Sequence, residues 1–376
     1  MSLGVAGIGW VTPLGSGTDQ TWERLLDGDE AHAEQVPGPP GTKSYHAFRV
    51  PNAALANLPA HPRLRRVSAI SRFAAAAAVE ALADAHLQIA GATAERTAVV
   101  FAVSNGGVVY TKRFYADIVE SGAHGASPLL FPETVFNAPA SHLAAILGIP
   151  GPSYTIVGDG SVGLVAMHMA EELMQNHNHL DYCLVVAAEE VDWLLCDAYA
   201  RWRLLRRAPP LEVFRSPAMG TMLSEGAGAI LLAREGPIRL EKTVAAGFYR
   251  NRGAAASVAA RVLGELDCEI SAMVASANGT FLDAAETNVV AKTAPEALFY
   301  TPKPALGEGV GASGSWQVIV ATLALRSGFL PPVLHAAETD IVRVPRQKTR
   351  VAGSEIVVLS CGLGQQVSGL RLRRMG

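Results

Sequence analysis

Short runs of aliphatic and β-branched residues alternate along the chain with alanine-rich segments whose apolar positions recur at helical spacing. The runs "LGVAGIGWV", "TAVVFAVS" (Thr97–Ser104), "YCLVVAAEE" (Tyr182–Glu190) and "AGAILLARE" (Ala227–Glu235) predict strands. Between them, "RFAAAAAVEALADAHL" (Arg72–Leu87) and "VGLVAMHMAEELMQ" (Val162–Gln175) predict helices. Later, "SAMVASANG" and "GSEIVVLSCGLG" predict strands and "SGSWQVIVATLALRSG" a helix. Strands that are apolar on both faces and separated by helices predict a mixed sheet covered on both sides. A glycine-bounded turn leading into an apolar helix occurs at Gly158–Gln175 and again at Gly309–Leu325. This repetition predicts two similar halves, residues 1–236 and 237–376, joined near Gly236–Pro237. The Pro-rich polar stretch "VPGPPGTKSYHAFRVPNAALANLPAHPRLRR" predicts surface loops.

Within this pattern one turn resembles a mount for a reactive side chain. In "YTIVGDGSVGLVAMHMAEEL" (Tyr154–Leu173) a β-rich run meets Gly-Asp-Gly and then a helix. The turn therefore sits at a helix N-terminus, where free N–H groups and the helix dipole favour negative charge. Its tip, however, is Gly160, which has no side chain.

Composition narrows the class. The 376 residues are 49% hydrophobic and 17% charged, which implies a large core and two domains or one duplicated one. A net charge of −3 with no basic block gives no electrostatic case for nucleic acid. Cys183, Cys196, Cys268 and Cys361 lie far apart without a CxxC pair, arguing against zinc or disulfides and for a reducing cytoplasm. The start "MSLGVAGIGW" lacks the order of a signal peptide, and no apolar stretch has the length of a membrane span. The mean hydropathy of +0.22 predicts apolar surface buried between subunits.

The stretch "GPSYTIVGDGSVGLVAMHMA" resembles the β-ketoacyl synthase family, which carries Ala-Cys where this chain has Asp159 and Gly160. The similarity extends over nearly the whole chain. "GIGWVTPLGSGTDQTWERLLDGD" resembles the opening strand, turn and helix, and "SEGAGAILLARE" the strand that ends the first half. "SANGTFLDAAE" resembles the first-histidine motif, "TPKPALGEGVGASG" the lysine and second-histidine motif, and "LSCGLGQQVSG" the closing glycine-rich loop. The resemblance implies an α/β thiolase-like fold with duplicated α/β halves in a five-layer αβαβα arrangement, dimeric through the first half. It also implies where the chemistry belongs: a cysteine that takes the acyl chain and two histidines that serve decarboxylation. Those positions are held here by Gly160, Asn278 and Glu308. Glycine cannot be acylated. Asn278 can donate a hydrogen bond but cannot shuttle a proton, and an ionised Glu308 would repel a malonyl carboxylate or an enolate. Lys303 keeps the family's lysine position, where a buried pair with a nearby carboxylate and a catalytic role are both open. Gly160 and Leu363 match the oxyanion-hole donors, Leu363 replaces a gating phenylalanine, and Glu225 reads as a structural hydrogen-bonding residue.

These losses point to a non-catalytic partner like the chain-length factors of type II polyketide and aryl-polyene systems. Such a subunit would pair with a catalytic ketosynthase served by an acyl carrier protein, and would cap the tunnel holding the growing acyl chain. It would need no cofactor or metal. The tunnel-floor candidates are Val108, Tyr110, Phe114, Phe131 and Phe136, with ordinary core or interface packing as the competing reading. An enzyme with rebuilt chemistry would use Ser161 as nucleophile or Asp159 with Glu308 as an acid–base pair. Ser161 would need a base, and His168, seven residues on, is out of reach; His177 and His179 read as solvated. Asp159 would also stabilise the helix start without any catalysis. A homodimeric acyl-binding or scaffold protein is the third reading.

Overall fold

The computed structural model describes residues 3–56, 58 and 60–375. The first half supplies five main strands: β1 (Leu3–Thr12), β2 (Thr97–Val103), β3 (Ser153–Val157), β4 (Tyr182–Glu189) and β5 (Gly226–Ala233). The second half supplies five more: β6 (Ile238–Phe248), β7 (Ala272–Val274), β8 (Leu298–Tyr300), β9 (Glu355–Cys361) and β10 (Gln366–Arg374). Their spatial order is β1-β5-β4-β2-β3 in one half and β6-β10-β9-β7-β8 in the other. The same permutation thus occurs twice, with β1 and β6 pairing antiparallel where the halves meet.

Seven helices cover the sheets: α1 (Ala69–Asp84), α2 (Val108–Ser121), α3 (Ala138–Leu147), α4 (Val162–Asn176), α5 (Ala255–Leu266), α6 (Phe281–Thr293) and α7 (Ser313–Ser327). Three apolar clusters fix the layering. One joins α1 and α3 to the outer face of the first sheet, and another joins α5 and α6 to the outer face of the second. The third lies between the sheets and is built around α4 and α7. Five layers result, as expected of a thiolase-like fold. The two central helices cross at glycines: a Cβ on Gly163 would lie 2.6 Å from the Ser315 nitrogen, and one on Gly314 3.1 Å from Gly163 Cα. Hence α7 is buried on every side up to Leu325, which explains why its sequence carries no polar face.

The predicted elements fall close to the observed ones, with instructive shifts. Helix α1 runs Ala69–Asp84 rather than Arg72–Leu87, because the chain turns through a left-handed His86 with no glycine to mark the stop. Of "SAMVASANG" only Ala272–Val274 is strand; the rest is buried loop feeding the site described next.

The sheet edges differ. Strand β8 is buried and is flanked by the backbone of Arg343, whose carbonyl accepts the Phe299 N–H at 2.9 Å. Strand β3 has no neighbour on its outer side among the described residues, and Tyr154 and Val157 on it are 42% and 49% exposed.

Candidate functional site

Four connections converge at the C-terminal ends of the parallel strands, the side of an α/β sheet where sites are built. They are the turn Gly158–Ser161 after β3, the loop from Ala275 to Thr280 after β7, the segment from Thr301 to Ala312 after β8, and the tight loop between β9 and β10. Gly160 stands among them. It is not in the left-handed region, and a Cβ built on it would approach nothing closer than Gly362 Cα at 3.4 Å, with Glu308 Oε1 at 3.9 Å. A Cβ therefore fits at Gly160, and neither backbone strain nor crowding at that atom requires glycine there.

Glu308 fills the space that Gly160 faces. Its carboxylate is buried and accepts four hydrogen bonds: from Lys303 Nζ, from Asn278 Nδ2 at 2.6 Å, from Ser313 Oγ at 2.6 Å and from the Val310 N–H at 3.0 Å. The expectation that Glu308 repels an incoming anion is corrected here. Its charge is met by Lys303, and every lone-pair direction is engaged. Asn278 is held in turn through Oδ1, which accepts from Thr280 Oγ1 at 2.7 Å, so its amide is oriented by the protein and not free for a ligand. Beneath it, Asp283 accepts the N–H groups of Asn278, Gly279 and Phe214, and burial pushes its carboxyl up to about 6.

Asp159 turns away from Glu308 and onto the closing loop. It accepts the N–H groups of Gly364 at 2.9 Å and Gln366 at 3.1 Å, and that of Ser161 at 3.2 Å. Burial raises its pKa, and these N–H groups oppose that rise. A Cβ on Gly362 would fall 2.1 Å from this carboxylate, so the loop needs glycine there. Asp159 and Glu308 thus have separate partner sets and share no hydrogen bond. Ser161 is fully buried, with Oγ 3.1 Å from Gln366 Oε1. The histidine on its helix, His168, bonds Thr243 Oγ1 at 2.6 Å instead. Ser161 Oγ also lies 3.4 Å from Asp159 Oδ1, so its one carboxylate neighbour is Asp159, no histidine reaches it, and the side chain has no access to solvent.

The structure also brings in residues that the sequence did not single out. Tyr249 donates to the Gly362 carbonyl at 2.5 Å, and Tyr199 is buried close enough to Glu308, Glu189 and Asp159 for their charges to raise its pKa further above what burial does. Phe281 and Leu363 pack against the cluster containing Tyr199, Val191 and Val310. Ser313 and Gln366 lie within quoted motifs and were findable there; Tyr199 had no sequence signal. Glu225 accepts the N–H groups of Val50 and Val191 and pairs with Arg49.

The tunnel-floor candidates lie together on the outer face of the first half. Val108, Tyr110 and Phe114 belong to α2, none of whose residues is buried. The Phe114 ring stands 5.8 Å from that of Phe131, and Phe136 lies over Gly106. Phe131 and Phe136 are 56% and 45% exposed, so packing within this chain's own core does not account for them. The Tyr110 hydroxyl donates to the Val67 carbonyl.

Among the described residues no group of His, Cys, Asp and Glu side chains is arranged to hold a metal ion, and no helix is long and apolar enough to cross a membrane.

The chain matches the beta-ketoacyl synthase N-terminal domain over residues 2–236 and the beta-ketoacyl synthase C-terminal domain over residues 242–337. It is 24% identical to 3-oxoacyl-[acyl-carrier-protein] synthase 2 of Rhizobium meliloti, covering 98% of each chain. It is 25% identical to the mitochondrial 3-oxoacyl-[acyl-carrier-protein] synthase of Arabidopsis thaliana, over 89% of this chain and 84% of that one. Its fold superposes on the ishigamide ketosynthase/chain length factor with a TM-score of 0.87 at 19% identity, covering 100% of this chain and 99% of that one. For the ketosynthase ApeO in complex with its chain length factor ApeC from Xenorhabdus doucetiae the TM-score is 0.83 at 21% identity, with 100% and 98% covered.

Proposed function

The chain belongs to the β-ketoacyl synthase family, and we propose that it acts there as a non-catalytic, chain-length-factor-like partner of an active ketosynthase. The setting is type II polyketide, aryl-polyene or fatty-acid-like biosynthesis in the cytoplasm. The partner takes acyl groups from an acyl carrier protein, and this chain completes the heterodimer and shapes the tunnel for the growing acyl chain. The observation that carries this reading is the pocket itself. Gly160 has no side chain although a Cβ would fit there, and the residues at both histidine positions are bonded to each other and to Lys303 in a closed network. The family's cysteine and both of its histidines, the groups that attack a thioester and serve decarboxylation, are replaced here. The open edge of β3 and the exposed rings of Phe131 and Phe136 supply the complementary surface.

The test has two arms. Incubated alone with acyl-loaded and malonyl-loaded acyl carrier protein, the purified chain is expected to keep its intact mass and release no carbon dioxide. A stable acyl adduct, at Ser161 above all, would overturn the reading in favour of rebuilt chemistry. Co-expressed with a cysteine-bearing ketosynthase of the same genome, the chain is expected to elute as a 1:1 complex by light scattering. In that complex Phe136→Ala and Phe114→Ala should lengthen the products; unchanged lengths from assembled complexes would remove these two rings from the tunnel floor.

A further inference from the structure

Helix α2 carries three of the tunnel candidates, yet it is not held by a core. None of its fourteen residues is buried, and a helix of that length is marginal in water without packing. Beside the Tyr110 bond to Val67 and the Phe114–Phe131 contact, its start is tied by a set of carboxylates at the end of β4 and just after it. Glu189 accepts the N–H groups of Ser104 at 3.1 Å and Asn105 at 3.2 Å, just before the helix begins. Glu190 accepts the N–H of Val109 at 3.2 Å, one of the first-turn donors that has no partner inside the helix. Asp192 pairs through Oδ2 with Lys112 in the next turn, while its Oδ1 caps the following helix at the Leu194 N–H. Both glutamates are buried, at 1% and 3% exposure, and burial pushes their carboxyls up to about 8 and about 7. Placing two adjacent carboxyls there is unfavourable in itself. It is sustained only by the backbone groups they hold.

We propose that this carboxylate segment, Glu190 foremost, is a positioning device that sets where α2 stands on the open side of the molecule, and so sets the length of chain the complex makes. The inference rests on the chain-length reading above. It differs in placing the determinant on residues that touch no acyl chain: a shift of the helix start moves Val108 and Phe114 together, whereas a change of one ring alters only one contact. Glu190→Ala leaves the Val109 N–H without its acceptor, and Glu190→Gln keeps a carbonyl oxygen there without the charge.

The experiment is reconstitution of the complex with malonyl-loaded acyl carrier protein, comparing wild type, Glu190→Ala, Glu190→Gln and Lys112→Ala. Light scattering reads assembly and product mass reads chain length. Glu190→Ala is expected to assemble and to move the main product by at least one two-carbon unit or spread it over several. Glu190→Gln should return the distribution to that of wild type, and Lys112→Ala, which removes only the exposed third tie, should broaden it slightly. A purely structural role would change yield and leave lengths alone. Assembled Glu190→Ala complexes with wild-type lengths overturn the proposal. If Glu190→Ala fails to assemble, Lys112→Ala decides: unchanged lengths from that assembled variant overturn the proposal as well. A wild-type chain that forms no complex at all instead overturns the chain-length reading on which it rests.

Discussion

The pocket around Glu308 and the edge of the first sheet are opposites in how they treat polar groups. In the pocket each charged or amide side chain has found a partner within the chain: Glu308 has four donors, Asn278 is held at both ends, and Asp159 is bonded to the closing loop. At the edge, β3 leaves its outer backbone groups unpaired and exposes Tyr154 and Val157. The equivalent edge of the second half, β8, is sealed by the segment at Arg343. The two halves share one strand order, so topology does not force this asymmetry. Natural sheets blunt their free edges unless something pairs with them. The contrast is what the proposed partner role requires: a surface left open and a pocket closed on itself.

The largest effect is expected from breaking the pocket. Lys303→Met leaves Glu308 buried without its cation and should cost about 3–5 kcal/mol in denaturant unfolding. Adding Glu308→Gln to it should recover most of that loss, since no buried charge is then left unpaired. A single variant as stable as wild type would show that the Glu308–Lys303 pair does not hold the interior.

Next comes the edge. Tyr154→Lys with Val157→Lys is expected to leave folding nearly unchanged, within about 1 kcal/mol, because both side chains are already exposed. The same pair should weaken the complex by roughly 2 kcal/mol or more, about 30-fold, read by titration against the ketosynthase. Undiminished binding would detach the open edge from partnership.

The interior should also show itself in pH dependence. Glu189 and Glu286 are buried and pushed up from 4.5 to about 8, so the folded chain keeps protons that the unfolded chain has released. Their contribution to stability is full below about pH 4.5 and is lost as pH rises through about 8. Asp181 and Glu212 are held low by Arg96 and Arg206 and act in the opposite sense, but solvent screening makes these pairs weak. Melting temperature should therefore fall between pH 6 and 8.5, and Glu189→Gln should flatten the slope; a rise over that range contradicts the assignment.

The smallest effect belongs to Gly160→Cys. With no atom nearer than 3.4 Å to the new Cβ, stability should change by roughly 0.5 kcal/mol or less. Incubated with malonyl-loaded acyl carrier protein, the variant should release no carbon dioxide, because Asn278 and Glu308 hold the positions that the resemblance assigns to decarboxylation.

Much of the architecture was legible because hydrophobic periodicity reports burial directly, and burial here is layered. The alanine-rich α1, the apolar α7 and the long strands β1, β2, β4 and β9 all appear in the sequence near their observed limits. Strands β7 and β8 are three residues each, too short for a period to register. The substitutions at Gly160, Asn278 and Glu308 were also visible. Their mutual bonding was not, since the network draws on segments from Asn278 to Ser313 that only the fold brings together. Nor could the sequence tell that Phe131 and Phe136 face outward, because an aromatic residue reads as core until the neighbouring elements are placed. The exposure of β3 escaped for the same reason: an open edge strand and a core strand are written in the same residues.

The unguarded strand also bears on supply. A copy of this chain that has no companion displays a template for wrong pairings, with Tyr154 and Val157 at its centre. Association protects it by mass action, so its persistence depends on how much companion is made beside it. Surplus copies are left to aggregation and proteolysis rather than storage. On the proposed pairing, matched synthesis of the two proteins follows from one five-residue edge.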